Sequence, residues 1–243
     1  MKPTGGKNYG SIGHLPESRL GPADHSITEG QAAICCVKKR DKHDRIIVQE
    51  KLDGSNVGVA KLGGDLYPLT RAGYRADSSP YEQHHVFHKW AMQNAERFDR
   101  LLNEGERAVG EWLHQAHGTR YDLPHEPFVL FDIMTGKQRH TYSTVKRRAS
   151  DFIMPYTLDN GGESISVDDA LTMLGTYGRH GAIDPIEGVM YRVERYNLLD
   201  KKKGGEREWV VDYLAKFVKQ DKEDGCYLES VTGKPNVINR YPE

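Results

Sequence analysis

Cysteine is scarce in this chain of 243 residues, and the three present, Cys35, Cys36 and Cys226, form no CxxC pair. An odd, unpatterned set argues against a disulfide framework and for a reducing, cytoplasmic setting. Long apolar runs are missing too: no stretch nears the roughly 18–20 residues that span a bilayer, so no membrane partner is expected. Met1 to Gly10 is polar and glycine-rich and lacks the apolar core of a secretory signal. Net charge is nearly absent, since 34 Lys and Arg against 35 Asp and Glu leave −1, which argues against bulk attraction to nucleic acid. Basic residues do cluster at Lys38-Lys39-Arg40, Lys146-Arg147-Arg148 and Lys201-Lys202-Lys203, either as solvated surface or as local phosphate contacts. No GxxxxGK loop and no GxGxxG fingerprint occurs, so P-loop and dinucleotide-binding enzymes are unsupported. His84, His85 and His88 have neither an HExxH pattern nor a cysteine partner, and read as a solvent-facing helix rather than a zinc site.

What is there has the pattern of one α+β domain covering 1–243, with an irregular lead-in over 1–30 and a short tail over 220–243. Ile46-Ile47-Val48 leads as a strand into Glu50-Lys51. Val57 to Leu62 and Leu66 to Thr70 form a hairpin around Gly63-Gly64. Tyr81 to Leu102 carries helical spacing through Val86, Trp90 and Phe98. Phe128 to Met134 reads as a compact strand, and Val167 to Leu174 as a helix opening on Asp168-Asp169. Val189 to Val193 and Val210 to Val218 read as late strands. Hairpin connections with intercalated helices favour antiparallel sheets over a doubly wound fold.

The stretch with most chemistry is Glu50-Lys51-Leu52-Asp53-Gly54-Ser55-Asn56. A lysine stands between two strands, followed by a glycine that lets backbone turn closely around a bound group. An amine attacks phosphorus only when unprotonated. A free lysine titrates near 10.4, so reaching neutrality requires a fall of roughly 3 units, or about 4 kcal/mol, from burial, nearby cations or a divalent metal.

Five further segments follow in order: Leu69-Thr70-Arg71-Ala72-Gly73, Gly110-Glu111-Trp112-Leu113, Phe128 to Ile133, Glu187 to Arg192, and Ala215-Lys216-Phe217-Val218-Lys219. Tyr9 to Arg19 (YGSIGHLPESR) precedes them all. Together they resemble the ordered motifs of the covalent nucleotidyltransferase superfamily of DNA ligases, RNA ligases and mRNA capping enzymes. The Glu and Asn flanking Lys51 look more like ATP-dependent RNA ligases of the second bacteriophage T4 type and their bacterial relatives. The resemblance spans about residues 9 to 221. In that T4 type the motif V lysines stand two apart, whereas Lys216 and Lys219 stand three apart.

The resemblance implies an antiparallel-sheet adenylylation domain without an accessory domain, in which Lys51 takes AMP from ATP with Mg²⁺ or Mn²⁺. AMP then moves to a 5′-phosphate end, and a 3′-hydroxyl displaces it, on RNA or on DNA. Nucleotide contacts are implied for Glu50, Asn56, Arg71, Glu111, Phe131, Glu187, Lys216 and Lys219. Arg71 and Glu111 would meet the ribose, Phe131 would stack on adenine, Glu187 would serve metal and phosphate, and Lys216 and Lys219 would neutralise the α-phosphate. Phe128 and Phe131 fall on opposite faces of a strand, so one of them faces the base. His114 and His117, just past Glu111, are candidate contacts to substrate phosphate. The same residues would serve a DNA nick ligase or a polynucleotide 5′-adenylylating enzyme. A regulator that binds nucleotide or RNA without catalysis is the reading from another class, and it has no use for the nucleophile.

Overall fold

The computed structural model describes residues 1–198 and 207–242. Its elements in chain order are β1 (Gly13–His14), α1 (Glu29–Cys36), β2 (Asp44–Lys51), β3 (Ser55–Leu62), β4 (Asp65–Thr70), α2 (Glu82–Gln93), α3 (Ala95–Leu101), β5 (Glu106–Trp112), β6 (Phe128–Thr135) and β7 (Gln138–Arg139). They continue with α4 (Tyr142–Arg148), α5 (Val167–Leu174), β8 (Gly188–Leu198), β9 (Arg207–Val218) and α6 (Glu229–Thr232).

The strands form two sheets, in orders β1-β9-β8-β2 and β4-β3-β5-β6-β7. Every pairing is antiparallel except that of β1 with β9. This is the expected mixed α and β fold with antiparallel sheets. The β3–β4 hairpin closes at Gly63-Gly64, both in the left-handed region, with Leu62 opposite Asp65.

Each sheet buries one face under helices. On the first, Ile46, Val48, Val189, Tyr191 and Val193 pack with Ala32 and Cys35 of α1 and Ala170 and Leu174 of α5. On the second, Val57, Trp112, Phe128 and Leu130 pack with Phe87, Phe98 and Val145 from α2, α3 and α4. Aromatic rings dominate this second core: Phe128 lies 5.9 Å from Phe87 and 5.7 Å from Phe98. Such rings carry most of the burial energy of a core this size.

Three details differ from the sequence reading. The lead-in is irregular except for β1, whose two residues are too short to show periodicity. Helix α1 has no strong apolar stripe but starts at a capping box, with Thr28 Oγ accepting from the Gln31 N–H. The helix expected over Tyr81–Leu102 breaks at Asn94, whose side-chain amide donates to the Trp90 carbonyl at 2.9 Å and closes α2 before α3 begins.

The last residues are held against the body. Asn239 accepts from the Tyr121 N–H at 2.8 Å and donates to the Leu113 carbonyl at 2.7 Å. Among the described residues, no helix is long and apolar enough to cross a membrane.

Candidate active site

The chain passes from the first sheet to the second at Leu52-Asp53-Gly54, and that crossing builds the site. β2 ends on Lys51 and β3 starts on Ser55. Gly54 permits the crossing: a Cβ there would lie 2.6 Å from the Trp112 carbonyl oxygen of β5. Asp53 pins the turn from both sides, accepting from Gly118 N–H at 2.9 Å while its own N–H donates to the Tyr121 hydroxyl at 3.1 Å. The crossing opens on a cavity of about 820 Å³ between the sheets.

Into this cavity Lys51 projects its ammonium, paired with the Glu187 carboxylate. Glu187 directly precedes β8, whose first residue, Gly188, stands opposite Lys51 in the ladder. Glu111 of β5 stands opposite Asn56 of β3 and accepts from the Gly54 N–H at 3.2 Å. Burial works to discharge Lys51, but Glu187, Glu111 and Asp53 outweigh it and hold the ammonium above its ordinary value. The sequence argument required the opposite shift. In the structure the three neighbouring carboxylates exert the larger effect. They carry the cost themselves: burial pushes both Glu187 and Glu111 up to about 7, against the opposing pull of Lys51.

The other motif residues distribute around the same cavity. Phe131 lines it, edge-on to Tyr9 with ring centroids 5.3 Å apart, while Phe128 is fully buried in the aromatic core. Alternation along β6 gives this split, and a bulge adds to it. Val109 pairs with Asp132 and Gly110 with Leu130, which leaves Phe131 as the extra residue of β6 and turns both it and Asp132 toward the cavity side. Asp132 there receives Tyr9 Oη–H at 2.6 Å and an ion pair from Arg192. Arg71 follows β4 at the rim, its side chain exposed and its carbonyl accepting from Asn8 N–H at 3.1 Å. Asn56 lines the wall with its Oδ1 buried and without a partner among the described residues. Glu50 lines the opposite wall, accepting from Arg179 N–H at 2.8 Å, and burial pushes it up to about 7.

Lys216 of β9 reaches the cavity, where burial and then Lys51 hold its ammonium below the ordinary lysine value. Lys219 does not line it. Three residues on and past the strand end, its ammonium lies 3.5 Å from Asp221, while its N–H donates to the Glu187 carbonyl at 3.0 Å. The structure therefore brings Lys216 to Lys51 and leaves Lys219 outside, as strand alternation over three residues dictates.

A family model described as RNA ligase matches residues 44–211, which includes the crossing lysine, β2 to β8 and the start of β9, and ends before Lys216. The chain belongs to the RNA ligase family. Solved structures similar to this family member include an archaeal ATP-dependent RNA ligase, at 18% identity over 72% of this chain and 43% of that one, with a TM-score of 0.43. A Naegleria gruberi RNA ligase mutant with AMP and Mn matches at 15% identity over 85% of this chain and 59% of that one, with a TM-score of 0.49. Another mutant of that ligase, with ATP and Mn, matches at 17% identity over 85% and 58% of the two chains, with a TM-score of 0.48. The chain spans about half the length of these structures. No curated protein matches it.

In this RNA ligase family member the sequence reading misplaced His84, kept one of its two candidate histidines at the cavity, and missed Lys222. His84 is not solvent-facing: it is buried, with ring nitrogens 3.0 Å from Ser55 Oγ and 2.6 Å from Ser79 Oγ, and burial pushes it down to about 4. The signal was spacing, since His84, Phe87 and Ala91 share the buried face of α2. His117 also lines the cavity, 3.3 Å from Gln83 Oε1, whereas His114 turns to the Tyr241 hydroxyl at 2.7 Å. Lys222 gave no signal. Buried behind the site, it donates to Thr119 Oγ1 and the Pro185 carbonyl at 2.8 Å and to the Gly118 carbonyl at 3.0 Å.

Two of the basic runs are partly neutralised within the chain. Lys39 pairs with Glu163, Arg40 with Asp44 and Asp212, and Arg148 with Glu106. Lys146 and Arg147 remain exposed, and Lys201-Lys202-Lys203 lies outside the described residues.

Proposed function

We propose that this chain is the adenylyltransferase domain of an ATP-dependent RNA ligase, spanning 1–243, with Lys51 as the nucleophile. The observation that carries the reading is Lys51 at the sheet crossing, in contact with Glu187 and flanked by Glu111 and Lys216 in one cavity. The Lys51 nitrogen lone pair forms a bond to the α-phosphorus of ATP, the bond from that phosphorus to the bridging oxygen breaks, and pyrophosphate leaves with the electron pair. Before attack the ammonium gives up its proton, and the Glu187 carboxylate touching it is placed to take it. Lys216 faces the accumulating phosphate charge, which is how such transfers are catalysed: by positioning and electrostatics. Phe131 offers its face to the base, and Arg71 and Glu111 a donor and an acceptor for ribose hydroxyls. AMP then passes to a 5′-phosphate end of RNA, and a 3′-hydroxyl displaces it.

A divalent cation fits this site. Three carboxylates converge around one ammonium, and burial leaves two of them near 7, an excess of acidic oxygen that suits Mg²⁺ or Mn²⁺. Glu187 would hold it. When bound it supplies positive charge beside the phosphate oxygens. Among the described residues no group of three His, Cys, Asp or Glu forms a ready-made cage, so water and phosphate oxygens would complete its shell.

Labelled ATP with Mg²⁺ or Mn²⁺ should leave one AMP on the protein through an acid-labile phosphoamide, and Lys51→Ala should abolish it. Label that persists in that variant, or never forms with either metal, overturns the reading. Sealing of 5′-phosphorylated RNA and DNA nicks, loops and single strands then sorts the substrate, and activity confined to DNA overturns the RNA assignment.

A further inference from the structure

Tyr9 to Arg19 is the segment singled out in the sequence that nucleotide chemistry leaves without a role. In the structure it runs along the strand that carries Lys216. Gly13 and His14 stand opposite Ala215 and Lys216, Leu15 N–H donates to the Lys216 carbonyl at 2.8 Å, and Arg19 N–H donates to the Val218 carbonyl at 2.9 Å. Ser18 Oγ accepts from Val218 N–H at 2.9 Å and lies 2.6 Å from His14 Nδ1. The serine proton is free to be donated to Nδ1, and that arrangement puts the ring hydrogen of neutral His14 on Nε2. Nε2 lies 3.2 Å from Asp24 Oδ2, in contact though not aligned as a hydrogen bond, and Asp24 Oδ1 lies 3.4 Å from the Lys216 ammonium. Gly21 N–H adds a bond to Asp24 Oδ2 at 2.9 Å.

We propose that Asp24, oriented by His14 and Ser18, is a positioning residue that holds the Lys216 ammonium at the cavity wall for the phosphate of the nucleotide. The inference rests on the adenylyltransferase reading for what Lys216 contacts, and on geometry alone for how it is held. His14 is 1% exposed, so the side chain that orients Asp24 is fixed by packing rather than adapting to it. Lys216 has burial and the Lys51 charge working to discharge it, with Asp24 and then Glu187 opposing them. Asp24 suits the task. Burial disfavours its charge, but the Gly21 amide, Lys216 and His14 together bring it down to about 2, so it stays ionised across the working range. Without that carboxylate, Lys216 faces Lys51 with only Glu187 opposing, and Glu187 is already committed to Lys51.

The test compares wild type, Asp24→Asn and His14→Gln in AMP uptake from labelled ATP between pH 6.5 and 9. In parallel, the Lys216 side chain is titrated by ¹³C NMR, its signal assigned through Lys216→Arg. Asp24→Asn should keep its melting temperature within a few degrees, lose uptake about tenfold in kcat at pH 7.5 with a smaller change in KM, and lose more at pH 9. The Lys216 titration should move to lower pH, and His14→Gln should show the same pattern more weakly. A purely structural role would lower stability and leave the pH profile and the Lys216 titration alone. Unchanged or faster uptake with an unmoved titration overturns the proposal. If the wild type takes up no AMP, the adenylyltransferase reading fails, and the Lys216 titration alone decides whether Asp24 holds it.

Discussion

The high position of the site carboxylates makes a stability prediction that separates function from folding. Burial pushes Glu111 up from 4.5 to about 7, with Lys51 pulling it down and Glu187 and Asp53 adding to the rise. A carboxyl that titrates higher in the folded state favours folding below about 4.5, and that contribution is lost as pH climbs through about 7. Above 7 the folded protein bears the full cost of a charged Glu111, about 3 kcal/mol for a shift of this size. Glu111→Gln removes the charge and keeps an oxygen for the Gly54 N–H. It should therefore raise stability at pH 8 by up to about 3 kcal/mol, or roughly 6–12 °C in melting temperature for a chain this long. At pH 5 the gain should be small, because wild-type Glu111 is then largely neutral in the fold. Thermal melts of both proteins at pH 5, 6, 7 and 8 with EDTA present give the comparison. AMP uptake by the variant should fall even as its melting point rises, the trade expected of a site held in a costly charge state. A Glu111→Gln protein that melts no higher than wild type at pH 8, or gains as much at pH 5, would refute the reasoning.

Phe131→Ala should weaken AMP uptake by about 1–3 kcal/mol, the scale of base–aromatic stacking, with little change in melting temperature. Phe128→Ala should instead destabilise the fold by about 3–5 kcal/mol, since its ring packs on Phe87, Phe98 and Phe152; melts and uptake assays on both variants distinguish them, and the reverse pattern means the base lies on the other face of β6. Lys222→Met should cost about 2–4 kcal/mol in urea unfolding by stranding the acceptors of Gly118, Thr119 and Pro185. A loss below 1 kcal/mol would mean that water replaces the ammonium there.

Most of the sheet framework was legible because its strands alternate. β3 and β4 announce themselves by Gly63-Gly64, and Phe128 to Met134 by an apolar run bounded by polar residues. β5 was not read as a strand, because Arg107 and Gly110 interrupt its apolar pattern, and only its segment around Glu111 was singled out, by resemblance. The split between Phe128 and Phe131 came from alternation, whereas the bulge that turns Asp132 to the same side as Phe131 is something no spacing rule carries. His84 was read from its polarity when its register with Phe87 and Ala91 held the answer. Lys222 is illegible in principle: its three acceptors come from the segments around Gly118 and Pro185, distant in sequence, and meet it only after folding.

The direction of the Lys51 shift shows what motif spacing leaves out. Glu50, Lys51 and Asp53 are consecutive or nearly so, while Glu111 and Glu187 arrive on β5 and just ahead of β8, and only the sheet pairings bring them to the lysine. From the motif alone, a nucleophilic lysine calls for cations nearby. Beside the lysine, among the described residues, the fold sets Lys216 and three carboxylates. That arrangement is poor for a bare triphosphate, which would meet Glu111 and Glu187 as like charges. It suits a triphosphate that arrives with a divalent cation, because the cation answers the carboxylates and the phosphate answers Lys216. On the proposed reading the acidic surplus therefore serves two ends: it stores the nucleophile as an ammonium, and in Glu187 it keeps the group that takes the proton in contact with the amine.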